Sequence, residues 1–488
     1  MIIGKHPLSL HSFSLVHFFE RFSYYGILSL LVLYLSSKLN FTDARSYAIL
    51  GVYGTLTYAT PLIGGYIADR FIGFYAALWM GLSFILLGHF SIFSTQFSTL
   101  GELGLFLGLG CVVTGSGFYK SNMNALIGNL YEKDDTLKDA AYTIFYVYQN
   151  AGSFVAPLVC GYIGLTVGWS YGFSLAGLAG VCALIALYFS RKFRRKIYSE
   201  HSLEVDFRWK TVVGVLMGGG ALSLLLSFVI FYGEDTLDFL LGISLVYFGI
   251  YLKHVFSVPK DQRKNMVIIG FGILAVAFSG ALISHSETVF TLLMDRNIDR
   301  TLLTFKVPVT FIQVVDPLSI VILGPLLAVL WRFMSKKGWH LSGITKTLIG
   351  FGIIVLSYKY LEVLFSEINE SNLVPILPFI FGLAALAASD ILIYPNVLTF
   401  CSRYTPKGLT GVVMGFIVFG MSLSQIIGTY LARLASIETE TPELYLSHSL
   451  DVYKGFFSSM TLFSLVTLIV LSCFIGWTLK KKKKHGSE

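Results

Sequence analysis

The chain has 488 residues, 55% of them hydrophobic and 13% charged, with a net charge of +8. A soluble domain carries about 25% charged residues, so this composition excludes a soluble enzyme or binding module of this length. The basic excess sits in short connections between apolar runs, which argues against nucleic acid as its partner. Cys111, Cys160, Cys182, Cys401 and Cys473 are scattered through apolar segments without a CxxC spacing. They read as packing residues rather than as a disulfide framework or a zinc site.

Apolar runs of the length needed to cross about 30 Å of hydrocarbon recur throughout. They predict fourteen transmembrane helices, near 13–37, 46–68, 74–94, 99–128, 141–165, 170–190, 211–232, 237–256, 265–294, 308–334, 343–362, 373–402, 408–435 and 454–479. Residues 1–12 are too short and polar for a cleavable signal, so the first span serves as its own insertion signal. Basic residues follow the sixth span (Arg191, Lys192, Arg194, Arg195, Lys196, Arg208, Lys210), the eighth (Lys253, Lys260, Arg263, Lys264) and the tenth (Arg332, Lys336, Lys337), and Lys480 to Lys484 form the tail. Acidic residues follow the seventh span (Glu234, Asp235, Asp238) and the thirteenth (Glu438, Glu440, Glu443, Asp451). The positive-inside rule then puts both termini and all even-numbered connections in the cytoplasm.

The expected fold is an all-α polytopic membrane protein. It comprises a six-helix bundle over 1–190, a basic linker with two extra helices over 191–264, a second six-helix bundle over 265–479 and a tail over 480–488. Two six-helix bundles about a midplane site is the major facilitator plan. GGYIADRFIG (64–73) resembles the loop signature of that superfamily: Gly65 permits close packing, and Asp69 and Arg70 cap or bridge helix ends. Phe74 and Tyr75 stand where a basic pair is usual.

The first span contains HFFERFSYYG, residues 17–26. Positions 17, 20, 21, 24 and 28 share one helical face, and a charge at mid-bilayer costs at least about 2.5–3.5 kcal/mol. Glu20 and Arg21 are therefore either an ion pair locking helices together or part of a substrate and proton site. A carboxylate can take a proton, and a guanidinium can hold a carboxylate at two points.

ERFSYYG resembles the first-helix signature of the proton-dependent oligopeptide transporter family. GFYKSNMNALIGNLY (117–131), TIFYVYQNAGSFVAPL (143–158), FIQVVDPLSIVILGPLLAVLW (311–331) and SDILIYPNVLTFCSRYTPKGLTGVVMG (389–415) resemble further motifs of that family in the same order. The resemblance spans nearly the whole chain. It implies a symporter carrying di- and tripeptides inward by alternating access, with protons as the coupling ion and no other cofactor. Arg21, Lys120 and Asn150 would hold the peptide carboxylate, with Gln149 as a neutral hydrogen-bonding partner. Asp390 would receive the amino group, and Asp316, where the family has Asn, adds a charge that suits cationic ligands. Tyr24, Tyr25 and Tyr66 would line the cavity. Pro317 and Pro395 fall inside these motifs as gating or structural residues, with Asp69 and Arg70. The implied setting is a bacterial inner membrane, and the implied functional unit a monomer.

The pattern departs from the family at three places. His17 replaces the first Glu of the signature, and Leu28 replaces a basic residue. The span at 275–296 lacks its midpoint acid: Ser284 or His285 falls there, while Glu287 points to the other side of an unbroken helix. Glu20 is the first candidate for proton coupling, with His17 and His285 as titratable substitutes and Glu287 nearby. Nitrate or another anion, a peptide-like compound, or an uncoupled facilitator are the alternatives. Asp390 and Asp316 argue against an anion. No HExxH, GxSxG or Walker sequence points to an enzyme.

Overall fold

The computed structural model describes residues 6–95, 101–131, 137–191, 209–339, 341–368, 373–406, 409–437 and 445–484. Lys192, Arg194, Arg195, Lys196, Arg208, Glu438, Glu440 and Glu443, used above for orientation, lie outside the described residues.

The helices in chain order are α1 (Leu8–Leu33), α2 (Asp43–Ile67), α3 (Phe74–Ser94), α4 (Gly101–Gly128), α5 (Lys138–Ala156), α6 (Tyr162–Thr166), α7 (Trp169–Ser190), α8 (Trp209–Phe231), α9 (Gly233–Ser257), α10 (Lys260–Ile283), α11 (Val289–Arg296), α12 (Val315–Lys336), α13 (Gly343–Ser366), α14 (Ile376–Tyr404), α15 (Thr410–Arg433) and α16 (Tyr445–Lys484). Every expected span coincides with one of these or with a broken pair. Twelve of the described helical stretches are long and apolar enough to cross a membrane. The two expected spans outside that set are α2, which opens on Asp43 and Arg45, and α5, rich in Tyr, Gln and Asn. The chain is a multi-pass integral membrane protein.

Three departures from smooth helix matter. π-helical turns extend α1 (Tyr34–Lys38) and α2 (Ala68–Ile72) and join α5 to α6 (Pro157–Gly161). Four two-residue strands interrupt the all-α pattern. Ile298–Asp299 (β1) pairs in parallel with Val374–Pro375 (β4), and Thr301–Leu302 (β2) forms a hairpin with Phe305–Lys306 (β3). The span expected over 265–294 is broken at Ser284–Thr288 into α10 and α11. The polar run SHSET coincides with the break: Ser284 Oγ donates to the Gly280 carbonyl, and Thr291 Oγ1 donates to the Ser286 carbonyl at 2.5 Å. Such local side-chain bonds compete with the helical ladder.

The chain divides into two compact units, Met1–Tyr34 with Val52–Gly233, and Leu35–Gly51 with Glu234–Glu488. In the first, α1 packs against α5 and α7, and α3 against α4. Without a hydrophobic drive between helices in lipid, small residues permit close approach. A Cβ on Gly64 would lie 2.2 Å from the Gly117 carbonyl oxygen. The tight notch of the GGYIADRFIG loop is therefore Gly64, since a Cβ on Gly65 would meet only the Ser121 side chain, at 3.3 Å and beyond. Gly73, at φ 76°, separates α2's π-turn from α3. In the second unit α10 packs on α14 and α15, and α13 on α14 and α16. The two extra helices attach differently. α8 lies on α4, with Ser223 Oγ donating to Thr114 Oγ1 at 3.0 Å. In α9, Tyr247 packs on Phe416 and Phe419, and the Tyr251 hydroxyl donates to the Met266 carbonyl.

Candidate functional site

In the first unit, α1 carries its charged pair at mid-helix. Glu20 is 1% exposed and Arg21 7%. Adjacent helical residues do not normally face each other, yet the long arginine side chain curls back. Its Nε donates to Glu20 Oε2 and its Nη2 to Oε1, both at 2.6 Å. α5 is close enough to press on this pair because Gly152 lies against it: a Cβ there would sit 2.5 Å from the Phe18 carbonyl and 3.0 Å from Arg21 Cβ.

His17 lies one turn before the pair. Its ring stacks on Phe145 of α5 at 4.2 Å and 8°. Its Nε2 is 3.2 Å from Gln149 Oε1, its Nδ1 3.3 Å from the Tyr119 hydroxyl of α4, and the same Nδ1 is 3.6 Å from Glu20 Oε2. Lys120 has its Nζ 4.6 Å from the ring centre of Tyr24 and 5.0 Å from that of Tyr58. Among the described residues no carboxylate pairs with it. Two desolvated cation–π contacts of about 2 kcal/mol each hold an ammonium without neutralising it. Tyr24 stacks near Tyr53 and meets Tyr25 edge-on, and the Arg21 guanidinium is 5.1 Å from the Tyr24 ring centre. Asn150 is buried and donates back to the Tyr146 carbonyl at 2.9 Å.

The fold thus gathers His17, Glu20, Arg21, Tyr24, Tyr25, Lys120 and Gln149 around one buried cluster, with Asn150 on the adjoining turn of α5. Tyr66 stands apart from these contacts. It is 58% exposed, takes a 3.4 Å bond from Arg70 and meets Phe71 edge-on. Asp69 and Arg70 are exposed in α2's π-turn, and Arg70 donates to the Tyr66 hydroxyl within its own helix. Phe145, Tyr119, Tyr53 and Tyr58 complete the cluster; Phe145 and Tyr119 lie within the family motifs at 143–158 and 117–131, whereas Tyr53 and Tyr58 carried no signal in the sequence beyond being aromatic.

In the second unit, Asp316 occupies the first turn of α12, where Pro317 costs no backbone hydrogen bond. A pocket beside it is lined by Ser286, Phe290, Val315 and Leu386. One carboxylate oxygen of Asp316, Oδ1, is buried without a hydrogen-bond partner. Glu287 and Asp390 both lie within electrostatic reach of Asp316. Glu287 and His285 face different surroundings, the Glu287 carboxylate lying within electrostatic reach of Asp316. His285 goes elsewhere: it is buried edge-on between Phe290 and Phe456, with its Nε2 unpartnered. Pro395 lies inside α14 five residues after Asp390, where it withholds the N–H that the Ile391 carbonyl would otherwise accept.

A further charged contact of the second unit left no mark in the sequence. Asp43, at the start of α2, receives Arg296 Nη1 at 2.5 Å, Nη2 at 2.7 Å and the Ile437 N–H at 3.1 Å. The Tyr453 hydroxyl also accepts from Arg296, at 3.5 Å.

The POT family model matches residues 75–447, beginning after the α1 cluster. The chain is 28% identical over 449 residues to the peptide transporter YePEPT of Yersinia enterocolitica, covering 86% of each chain. It is 28% identical over 459 residues to a di-/tripeptide transporter of Lactococcus lactis, covering 89% of this chain and 90% of that one. In fold it resembles a bacterial homologue of the human drug peptide transporters PepT1 and PepT2, with a TM-score of 0.82, 21% identity and coverage of 97% and 98%. With three-quarters of its length under one family model, the chain belongs to the POT family, a family of membrane transporters and not of enzymes.

Proposed function

We propose that this chain is a proton-coupled importer of di- and tripeptides. The observation that carries the reading is Lys120: a cation in a membrane-spanning helix, beside Arg21, held by two tyrosine faces and paired with no described carboxylate. A half-buried ammonium with Glu20 within electrostatic reach but no carboxylate in contact is costly, and a peptide carboxylate would relieve it. Arg21 would add a two-pronged contact to the same group, with Asn150 and Gln149 as neutral partners and Tyr24 and Tyr25 as walls. Tyr66, exposed on α2, would join only through the solvent-facing surface.

The amino end of the ligand would go to the carboxylates of the second unit, Asp390 and Asp316. Two carboxylates in reach of each other disfavour full ionisation, so an incoming ammonium group stabilises what they otherwise resist. The same acids argue against nitrate. Glu20, His17 and Glu287 are assigned to proton coupling, and protons are the only cofactor proposed. His285 is withdrawn from the front rank because its aromatic surroundings offer it no ionisable neighbour. Both clusters belong to one chain, so a monomer suffices. The proposed home is a bacterial inner membrane with both termini cytoplasmic.

The test is uptake of labelled dialanine by purified protein in liposomes, with and without an inward proton gradient. Accumulation above equilibrium that is abolished in Glu20→Gln is the expected result. Equilibration that ignores the gradient would remove the proton roles, and no uptake beside an active control transporter would remove peptide as the substrate.

A further inference from the structure

We propose that the β2–β3 hairpin is a membrane-contacting element: its apolar face and tip, Leu302, Leu303 and Phe305, enter the headgroup–acyl boundary of the bilayer beside the start of α12. The partner is a phospholipid surface, and the proposal is independent of the peptide reading above.

The hairpin is closed at its base by the Val307 N–H, which donates to the Arg300 carbonyl at 2.9 Å. Thr301 pairs with Lys306 and Leu302 with Phe305, which leaves Leu303 and Thr304 as a two-residue turn. Leu303 has φ 58°, and Thr304 is not in the positive-φ region. A positive φ at the first turn residue alone is the type II′ pattern, whose usual occupant is glycine because a Cβ is strained there. Asparagine also tolerates that region, whereas a bulky residue is an outlier in it. Yet Leu303 is 94% exposed, Phe305 53% and Leu302 40%. The chain thus accepts a strained backbone to hold a large apolar side chain where no described residue covers it. The contact that compensates lies beyond the described residues.

Two observations point to a bilayer surface as that contact. The first is that the ribbon is amphipathic. Directly opposed residues share a face and successive residues alternate. Leu302 and Phe305 therefore make one face, and Thr301 and Lys306 make the other, all four exposed. The Lys306 ammonium on the polar face complements lipid phosphate. The same division of faces lets amphipathic helices lie in the plane of a membrane interface.

The second observation is where the base stands. Val307 is two residues before Val309, where an apolar stretch long enough to cross the membrane begins. The base is therefore at the edge of the hydrocarbon. At about 3.3 Å per residue the tip reaches about 13 Å beyond it, and the headgroup layer is about 5–8 Å deep on each face. A ribbon leaning along the surface, apolar face inward, keeps all three side chains within that layer. Its root is held by Arg300, which donates to Asp295 at 3.4 Å, and by the parallel pairing of Ile298–Asp299 with Val374–Pro375. Seated in the leaflet, the hairpin ties to it the connection that leads into Asp316.

The experiment places the photoreactive residue p-benzoylphenylalanine at position 303 of the full-length protein, and separately at position 329. Val329, 68% exposed in the apolar middle of α12, is the lipid-facing reference. The protein is irradiated in vesicles of phosphatidylethanolamine and phosphatidylglycerol, digested and analysed by mass spectrometry. Phospholipid adducts at 303, as at 329, are the expected result. Adducts from 303 to another segment of the chain, a dimer cross-linked through 303, or no lipid adduct at 303 beside lipid adducts at 329 would each overturn the proposal.

A second measurement uses Leu303→Asn, which relaxes the turn and adds no charge. Its melting temperature is compared with wild type in the same vesicles. With the tip in the membrane, loss of the apolar contact outweighs the relaxed backbone and the variant melts lower. With the tip in water, relief of strain acts alone and the variant melts higher. A rise, or no change, overturns the proposal. Neither readout depends on peptide uptake, so failure of the peptide reading leaves this result intact, and the reverse.

Discussion

The Asp43–Arg296 contact allows a quantitative test of what holds the second unit together. Asp43 is 3% exposed and accepts three hydrogen bonds, two of them from one guanidinium. Asp43→Asn takes the bidentate carboxylate from a largely buried arginine, and breaking a buried pair by removing one partner costs about 3–5 kcal/mol. Arg296→Gln leaves the carboxylate with the Ile437 N–H as its remaining described donor, which should cost about the same. The double variant buries two neutral amides, so most of the second loss is not incurred. The coupling energy should be about 2–3 kcal/mol, at the upper end of what contacting residues show. Unfolding of the purified protein by SDS titration in mixed micelles, for wild type, both singles and the double, gives the cycle directly. Additivity within about 0.5 kcal/mol, the behaviour of independent sites, would refute the claim that these groups act as a pair.

Two further outcomes follow from other contacts. Asp316→Asn should weaken inhibition of dialanine uptake by lysine-containing dipeptides about tenfold while leaving glutamate-containing ones nearly unchanged. This is the effect of deleting one of two acids from a partly screened site, worth about 1–2 kcal/mol; equal changes for both ligands would show that Asp316 does not read charge. Gly64→Val should reduce thermal stability sharply, because its Cβ would meet the Gly117 carbonyl oxygen, its carbonyl carbon and the Phe118 nitrogen at 2.2–2.7 Å, all backbone atoms that cannot step aside. Overpacking typically costs about 1–3 kcal/mol, whereas Gly249→Ala, with nothing within 4 Å, should be neutral or mildly stabilising; melting curves of the two variants decide it.

What the sequence made legible was set by what a bilayer enforces locally. Every backbone group in lipid must bond within its own segment, so apolar length alone marks a helix, and all fourteen expected spans find their counterparts. The misses are non-local or depend on competition. Asp43 and Arg296 are 253 positions apart, and nothing in either neighbourhood announces the other. The break at Ser284–Thr288 contains neither Pro nor Gly. It falls where hydroxyls and a carboxylate cluster in five consecutive residues that offer the backbone local alternatives to the helical ladder. An apolar count reads that stretch as helix. Glu20 and Arg21 were visible as a charged pair, but helical spacing pairs each with a residue three or four positions away. Their contact with each other depends on the reach of an arginine side chain, which no periodicity encodes.

The charges of the two clusters constrain what the proposed cycle must do. The first unit presents Arg21 and Lys120 against Glu20, a surplus of one positive charge. The second presents Glu287, Asp316 and Asp390 with no described cation paired to them, since Arg296 is committed to Asp43. A zwitterionic dipeptide contributes one negative and one positive charge. On the proposed reading, its carboxylate would neutralise the first cluster and its ammonium would leave up to two negative charges in the second, in surroundings where an isolated ion is prohibitive. Protons, or a second positive charge on the ligand, must supply the difference. A neutral dipeptide would therefore demand more protons from this chain than a lysyl one does. Coupling on this view is a consequence of the unequal clusters, and the two ends of the ligand meet different electrostatic demands: relief of one cation at the carboxylate, relief of several acids at the amine.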